Sequence, residues 1–129
     1  MDTNEIRALI ARVKAATGRD REVDAVLNAL AAEEHGETMR RVIELWTPEE
    51  REALLVPYTD ELDAVWRLCR QLRPGCRIAI TDDPACRTMA EIKTDWGTAA
   101  SEVAETPALA LIAALLAVLL VTEIARAAA

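Results

Sequence analysis

No phenylalanine occurs in the sequence, tyrosine, histidine and serine occur once each, and glycine is confined to positions 18, 36, 75 and 97. Each shortage excludes a chemistry. Four isolated glycines cannot build a phosphate-cradling loop, and Ser101 without flanking glycines cannot form a G-x-S-x-G nucleophile elbow. One histidine, His35, rules out H-E-x-x-H, and it stands far from Cys69, Cys76 and Cys86, which themselves lack C-x-x-C spacing, so no structural zinc site is expected. Positive charge is also short. Twenty-two acids against 15 bases give a net charge of -7 and a pI near 4.8, which argues against duplex nucleic acid as a partner.

What is present suits one packed domain spanning residues 1–129. Of the 129 residues, 52% are apolar and 29% charged, a globular balance rather than a disordered one. Without phenylalanine, the core is expected to consist of Leu, Ile, Val and Ala, with Trp46, Trp66 and Trp96 as its largest pieces. The opening residues carry acids before any apolar run, unlike a secretory leader, and three cysteines make an odd count. The expected compartment is therefore a reducing, cytoplasmic one, with Cys69 a buried, inert thiol on a helical apolar stripe.

Charge is distributed in blocks. Residues 1–32 balance at zero, and residues 33–63 carry a local sum of -7. The sign then reverses around Arg67, Arg70, Arg73, Arg77 and Arg87. Such blocks are usually solvated helix faces, and their functional reading is a charged surface that meets a partner of opposite sign.

Periodicity predicts an α+β fold, helix-rich, with a small antiparallel sheet of two or three strands packed between helices. Ile6, Leu9, Ile10 and Val13 form the stripe of a first helix ended by Gly18. A second, capped by Asp20, carries Val23, Val26, Leu27 and Leu30 up to Gly36. Partial alternation over 38–46 predicts a strand. Thr47-Pro48-Glu49-Glu50 then predicts a short helix with a capping box. A helix starting at Thr59 carries Leu62, Val65, Trp66, Cys69 and Leu72 and closes at Pro74-Gly75. The period then changes to two: Cys76, Ile78 and Ile80 mark one strand, and Thr88, Ala90, Ile92 and Thr94 mark a second, joined by a hairpin-length loop.

The last segment, TPALALIAALLAVLLVT over 106–122, has no charge and opens with Thr106 as cap and Pro107 in the first turn. Its length of roughly 25 Å falls slightly short of a bilayer core, and Glu105 and Glu123 bracket it without any basic cluster. A core helix is the preferred reading. A membrane span and a self-association face using Leu109, Ile112, Leu116 and Leu119 are the alternatives.

Three segments, IRALIARVKAATGRDREVDAVLNALA (6–31), VPYTDELDAVWRL (56–68) and ETPALALIAALL (105–116), resemble the phage ABA sandwich domain family, small proteins of phages and prophages. The resemblance implies a layered domain with a small antiparallel sheet, and no known enzymatic activity. It rests on packing and capping motifs, which speak to fold rather than chemistry. The chain departs from the family in lacking its Gly- and Trp-rich centre, with the Thr-Pro-Glu-Glu helix there instead, and in a longer, more apolar C-terminal helix.

Size, acidity, the lack of active-site motifs and this resemblance point to a non-enzymatic phage accessory protein without cofactors, which binds a host or phage protein and blunts antiviral defence. The expected binding residues are Glu49, Glu50, Glu52, Asp60, Glu61 and Asp63, with the basic strip Arg67, Arg70, Arg73 and Arg77 as the alternative. A self-associating virion component or homodimer is the second reading, and a membrane-associated protein the third.

Overall fold

A computed structural model describes residues 1–128 except 35, 37–40, 43 and 98. Five helices and three strands are described: α1 (Thr3–Ala15), α2 (Arg21–Glu34), α3 (Pro48–Ala53), α4 (Leu62–Leu72), β1 (Arg77–Asp82), β2 (Thr88–Lys93), β3 (Ala99–Ala104) and α5 (Pro107–Ala128). The class is α+β. The sheet has order β1-β2-β3, antiparallel throughout.

Local chemistry sets the helix starts. The Asp2 carboxylate accepts from the Glu5 amide at 2.8 Å while the Asp2 amide donates to the Glu5 carboxylate, a closed capping box for α1. Asp20 accepts from the Glu22 and Val23 amides at the start of α2, and the Arg12 guanidinium beside it holds its carboxyl below the usual range. Thr47 and Glu50 close the same box on α3, with Pro48 in the first turn. Two expected boundaries differ. Helix α1 stops at an extended Ala16, and Gly18 is not in the left-handed region. Thr59 does not start α4, because its side chain and amide are engaged by α2 instead, as described below.

Helix α5 is the centre of the molecule. Ala108 to Leu116 are all buried, and α5 packs on α1, α4, β2 and β3. A helix apolar on every side is stable in water only when neighbours surround it, and Ala110, Ala113 and Ala114 let those neighbours approach closely. By length and composition α5 could also cross a membrane, yet 56% of its most apolar window is buried within this fold. Its last turns emerge from cover, with Val121 and Ile124 exposed.

The strand alternation is as read for β1 and β2: Thr88, Ala90 and Ile92 are buried on the face toward α5. The sheet packs on α5 and α1, and on its opposite face Arg77, Ala79, Thr81, Lys93 and Ser101 are exposed while Met89, Glu91 and Val103 are half-buried. The strand expected at 38–46 is absent from its described part, where residues 41, 42 and 44 are helical; residues 38–40 and 43 lie outside the described residues. Among the described residues of this stretch, Val42 and Leu45 are exposed and supply no buried face for a strand. The third strand is β3 instead. Its alanines give almost no hydrophobic signal, yet Ala100 and Ala104 are buried against the core.

The tryptophans are also placed differently from expectation. Trp46 and Trp66 are half-buried, and Trp96 is 65% exposed beneath the Arg73 guanidinium, 5.7 Å from its ring. The largest fully buried side chains are Ile, Leu and Val. Space beside an Ala-rich central helix is too shallow for indole rings, and aliphatic residues fill it at native density.

Candidate protein-docking cleft

A set of polar contacts fixes the chain from Val56 to Thr59 on α2. The Asp20 amide donates to Thr59 Oγ1 at 2.8 Å, and the Thr59 amide donates to Asp24 Oδ1 at 2.8 Å. Asp24 is fully buried and takes its second oxygen to Arg19 at 3.4 Å. One turn on, Asn28 uses both ends of its amide: Oδ1 accepts from the Val56 amide, and Nδ2 donates to the Val56 and Asp24 carbonyls. These contacts hold the residues that follow α3 against α2. Between the two helices they leave a cleft.

The cleft has a volume of about 520 Å³. Ala25, Ala29 and Ala32 line the α2 side, with Trp46, Leu54 and Leu55 across from them. Leu54 is 58% exposed, and nearby in sequence Val42 and Val56 are exposed and Leu45 is 85% exposed. This concentration of uncovered aliphatic side chains is unusual on a chain whose core is otherwise well filled. Its polar neighbours carry both signs: Glu52 lines the cleft, Glu49 and Glu52 border an adjoining depression together with Arg19 and Arg21, and Glu44, Glu49, Glu50 and Glu52 are all exposed. Arg51 also lines the cleft, with its guanidinium donating to the Glu44 carbonyl at 2.7 Å.

Glu49, Glu50 and Glu52 lie on α3, while Asp60, Glu61 and Asp63 lie on the turn into α4 and its first residues; all six are exposed. Glu52 pairs with Arg21 at 2.9 Å in solvent, and Glu50 closes the α3 capping box. No ion pair engages Glu49, Asp60, Glu61 or Asp63 among the described residues. The basic strip is divided. Arg67, Arg70 and Arg77 are exposed, whereas Arg73 is half-buried, stacked on Trp96 and donating to the Leu72 carbonyl and Thr122, so it serves the fold.

The self-association residues need correction. Leu109, Ile112 and Leu116 have no exposed surface, because α1, α4 and the sheet cover that part of α5, and Leu119 is half-buried. The first three have nothing to present to a second copy. The cleft residues Ala25, Ala29 and Ala32 were not anticipated, although a signal existed: they recur on the α2 side opposite its apolar stripe, where a solvated helix ordinarily carries charge.

Among the described residues, no group of three or more His, Cys, Asp or Glu could hold a metal ion, and His35 lies outside them. Cys69 and Cys76 are buried, and burial pushes the Cys69 thiol up to about 12 and raises that of Cys76. Cys86 is exposed in the hairpin turn at φ 64°. A disulfide-exchange reagent at pH 8 is therefore expected to label Cys86 in the native protein and the other two only after denaturant is added; native labelling of all three would contradict the buried placement.

No family model, curated protein or solved structure matches the chain. The likeness to the phage ABA sandwich family accordingly stands on its three sequence segments alone.

Proposed function

We propose that this chain is a small phage or prophage accessory protein, without enzymatic activity, that acts in the host cytoplasm by binding a basic surface of a host or phage protein, and that it thereby inhibits a host antiviral defence. The observation that carries this reading is the cleft between α2 and α3, where exposed Leu54 and half-buried Trp46 lie beside Glu49 and Glu52. Apolar contact supplies affinity at such a surface, while acids steer a basic partner and set its orientation. Asp60, Glu61 and Asp63 extend the acidic surface along the chain.

The test is affinity capture of the tagged full-length protein from host lysate, compared with Glu49→Lys/Glu52→Lys. Glu50 is left in place because it caps α3. The pair reversal is expected to weaken retention of the partner by at least about tenfold, as is raising the salt well above physiological strength. Retention indifferent to both would remove the acidic surface from the mechanism. Self-association remains as a second reading through the exposed Val121 and Ile124 at the end of α5.

A further inference from the structure

We infer that β1 is the docking edge for a second copy of this chain, the two β1 strands pairing antiparallel about a two-fold axis so that the two sheets join into one. This surface is separate from the α2/α3 cleft. The hydrogen bonds of the hairpin show which groups are open. The Asp83 amide donates to the Arg87 carbonyl at 2.8 Å, in the register that pairs β1 with β2. Bonded pairs alternate along an antiparallel ladder, so Arg77, Ala79 and Thr81 also turn their amides and carbonyls toward β2. The amides and carbonyls of Ile78, Ile80 and Asp82 therefore face the outer edge, where no other segment bonds them among the described residues. Nothing guards this edge. β1 has no proline or lysine, its pairing with β2 runs without a bulge, and among the described residues β2 is the one element that packs extensively on it. By contrast α1 contacts β3 at the other edge, where Lys14 pairs with Glu102 at 2.9 Å. Ile78 and Ile80 are only half-buried, because α5 lies under β2 and β3 rather than under β1.

A second copy fits this edge because RIAITDD (77–83) is complementary to itself in one register. Placing Ile80 opposite Ile80 of the second copy sets Ile78 against Asp82, so every outward amide of each strand finds an outward carbonyl. A register shifted either way brings in Cys76, whose amide already donates to the Arg73 carbonyl, or Pro84, which has no amide hydrogen. On the open face the same register sets Arg77 opposite Asp83 of the second copy, once on each side of the axis. Arg77 stands across from Lys93 in its own sheet, and among the described residues no carboxylate pairs with it. Asp83 bonds the Ala85 amide through one oxygen at 3.1 Å and keeps the other for a partner. Two acids thus meet two bases that lack acids of their own.

Sedimentation of the full chain from about 1 to about 200 µM is expected to show a mass that rises from 14.1 kDa toward twice that value and stops there. A constant 14.1 kDa overturns the pairing, and so does growth past the dimer. Asp82→Pro removes an outward amide at an edge position that tolerates proline in the monomer, and should weaken the dimer by about tenfold or more. Arg77→Glu relieves the repulsion from Lys93 within the chain and sets like charges against each other between chains. It should weaken the dimer by about fivefold or more without lowering the melting temperature of the dilute monomer. Amide hydrogen exchange locates the contact in the unaltered protein, whether or not either variant folds. The amides of Ile78, Ile80 and Asp82 should gain protection as concentration rises, while those of Ala79 and Thr81 are protected throughout. A dimer in which those three amides exchange as freely as in the monomer would assign association to the exposed end of α5 instead.

Discussion

Ile112→Ala is expected to cost about 2–5 kcal/mol of folding stability, whereas Ile124→Ala, twelve residues along the same helix, should stay within about 1 kcal/mol. Ile112 is fully buried where α5 is surrounded by α1, α4 and the sheet, and Ile124 is 44% exposed beyond them. Removing three carbons from the first site leaves a void that packed neighbours cannot fill. At the second, water takes the space. Urea denaturation with an unchanged slope would report both values as midpoint shifts. Equal losses would mean that α5 is covered along its whole length, and a loss below about 1 kcal/mol at Ile112 would mean that this helix is not the core.

Asp24→Ala is expected to be comparably damaging, at about 3 kcal/mol, for a different reason. Asp24 is completely buried, and its carboxylate is the acceptor for the Thr59 amide as well as for Arg19. Alanine strands that amide in the interior. Arg19 is partly exposed and can turn to water, so the cost falls mainly on the Thr59 contact. Asp24→Asn keeps an oxygen for the amide and should recover more than half of the loss. Because the same contacts hold the chain after α3 against α2, the alanine variant should also impair partner binding at temperatures where it is still folded. Calorimetric melting of the three proteins tests the ranking; an Asn variant no better than Ala would show that the charge, not the hydrogen bond, is what matters.

The two sites illustrate how unevenly the fold was legible. Ile112 lies in a charge-free run whose burial could be read from composition, because a segment apolar on all sides has few places to go in water. Asp24 reads in sequence as an ordinary first-turn acid of α2, one of several that favour a helix start. Nothing local shows that Thr59, thirty-five residues away, turns its amide toward that carboxylate. The same contrast divides the strands. β1 carries Ile78 and Ile80 at period two and β2 alternates Thr88, Ala90 and Ile92 with Met89, Glu91 and Lys93, so both declare themselves, whereas β3 is AASEVA and becomes a strand by pairing with β2, from Lys93↔Ala99 to Thr88↔Ala104.

The candidate site was half visible. The density of acids over residues 33–63 and the capping box that begins α3 are properties of adjacent residues. The cleft is a property of α2 and α3 together. Only docking of the two helices through Asn28 and Val56 places Ala29 opposite Leu54 and leaves apolar surface open between them.

By itself, the sequence determined the starts of α2, α3 and α5, the first two strands, the turn between them and the central position of the last helix. These follow from interactions within a few residues or from the period of apolar side chains, and both are written along the chain. Tertiary structure decided that the tryptophans sit at the margins, that Arg73 is an internal strut, that the expected seam on α5 is sealed, and that a third strand forms from alanines. Each of these depends on which distant surfaces meet. A side chain's exposure is fixed by its neighbours in space, and sequence order does not carry that information.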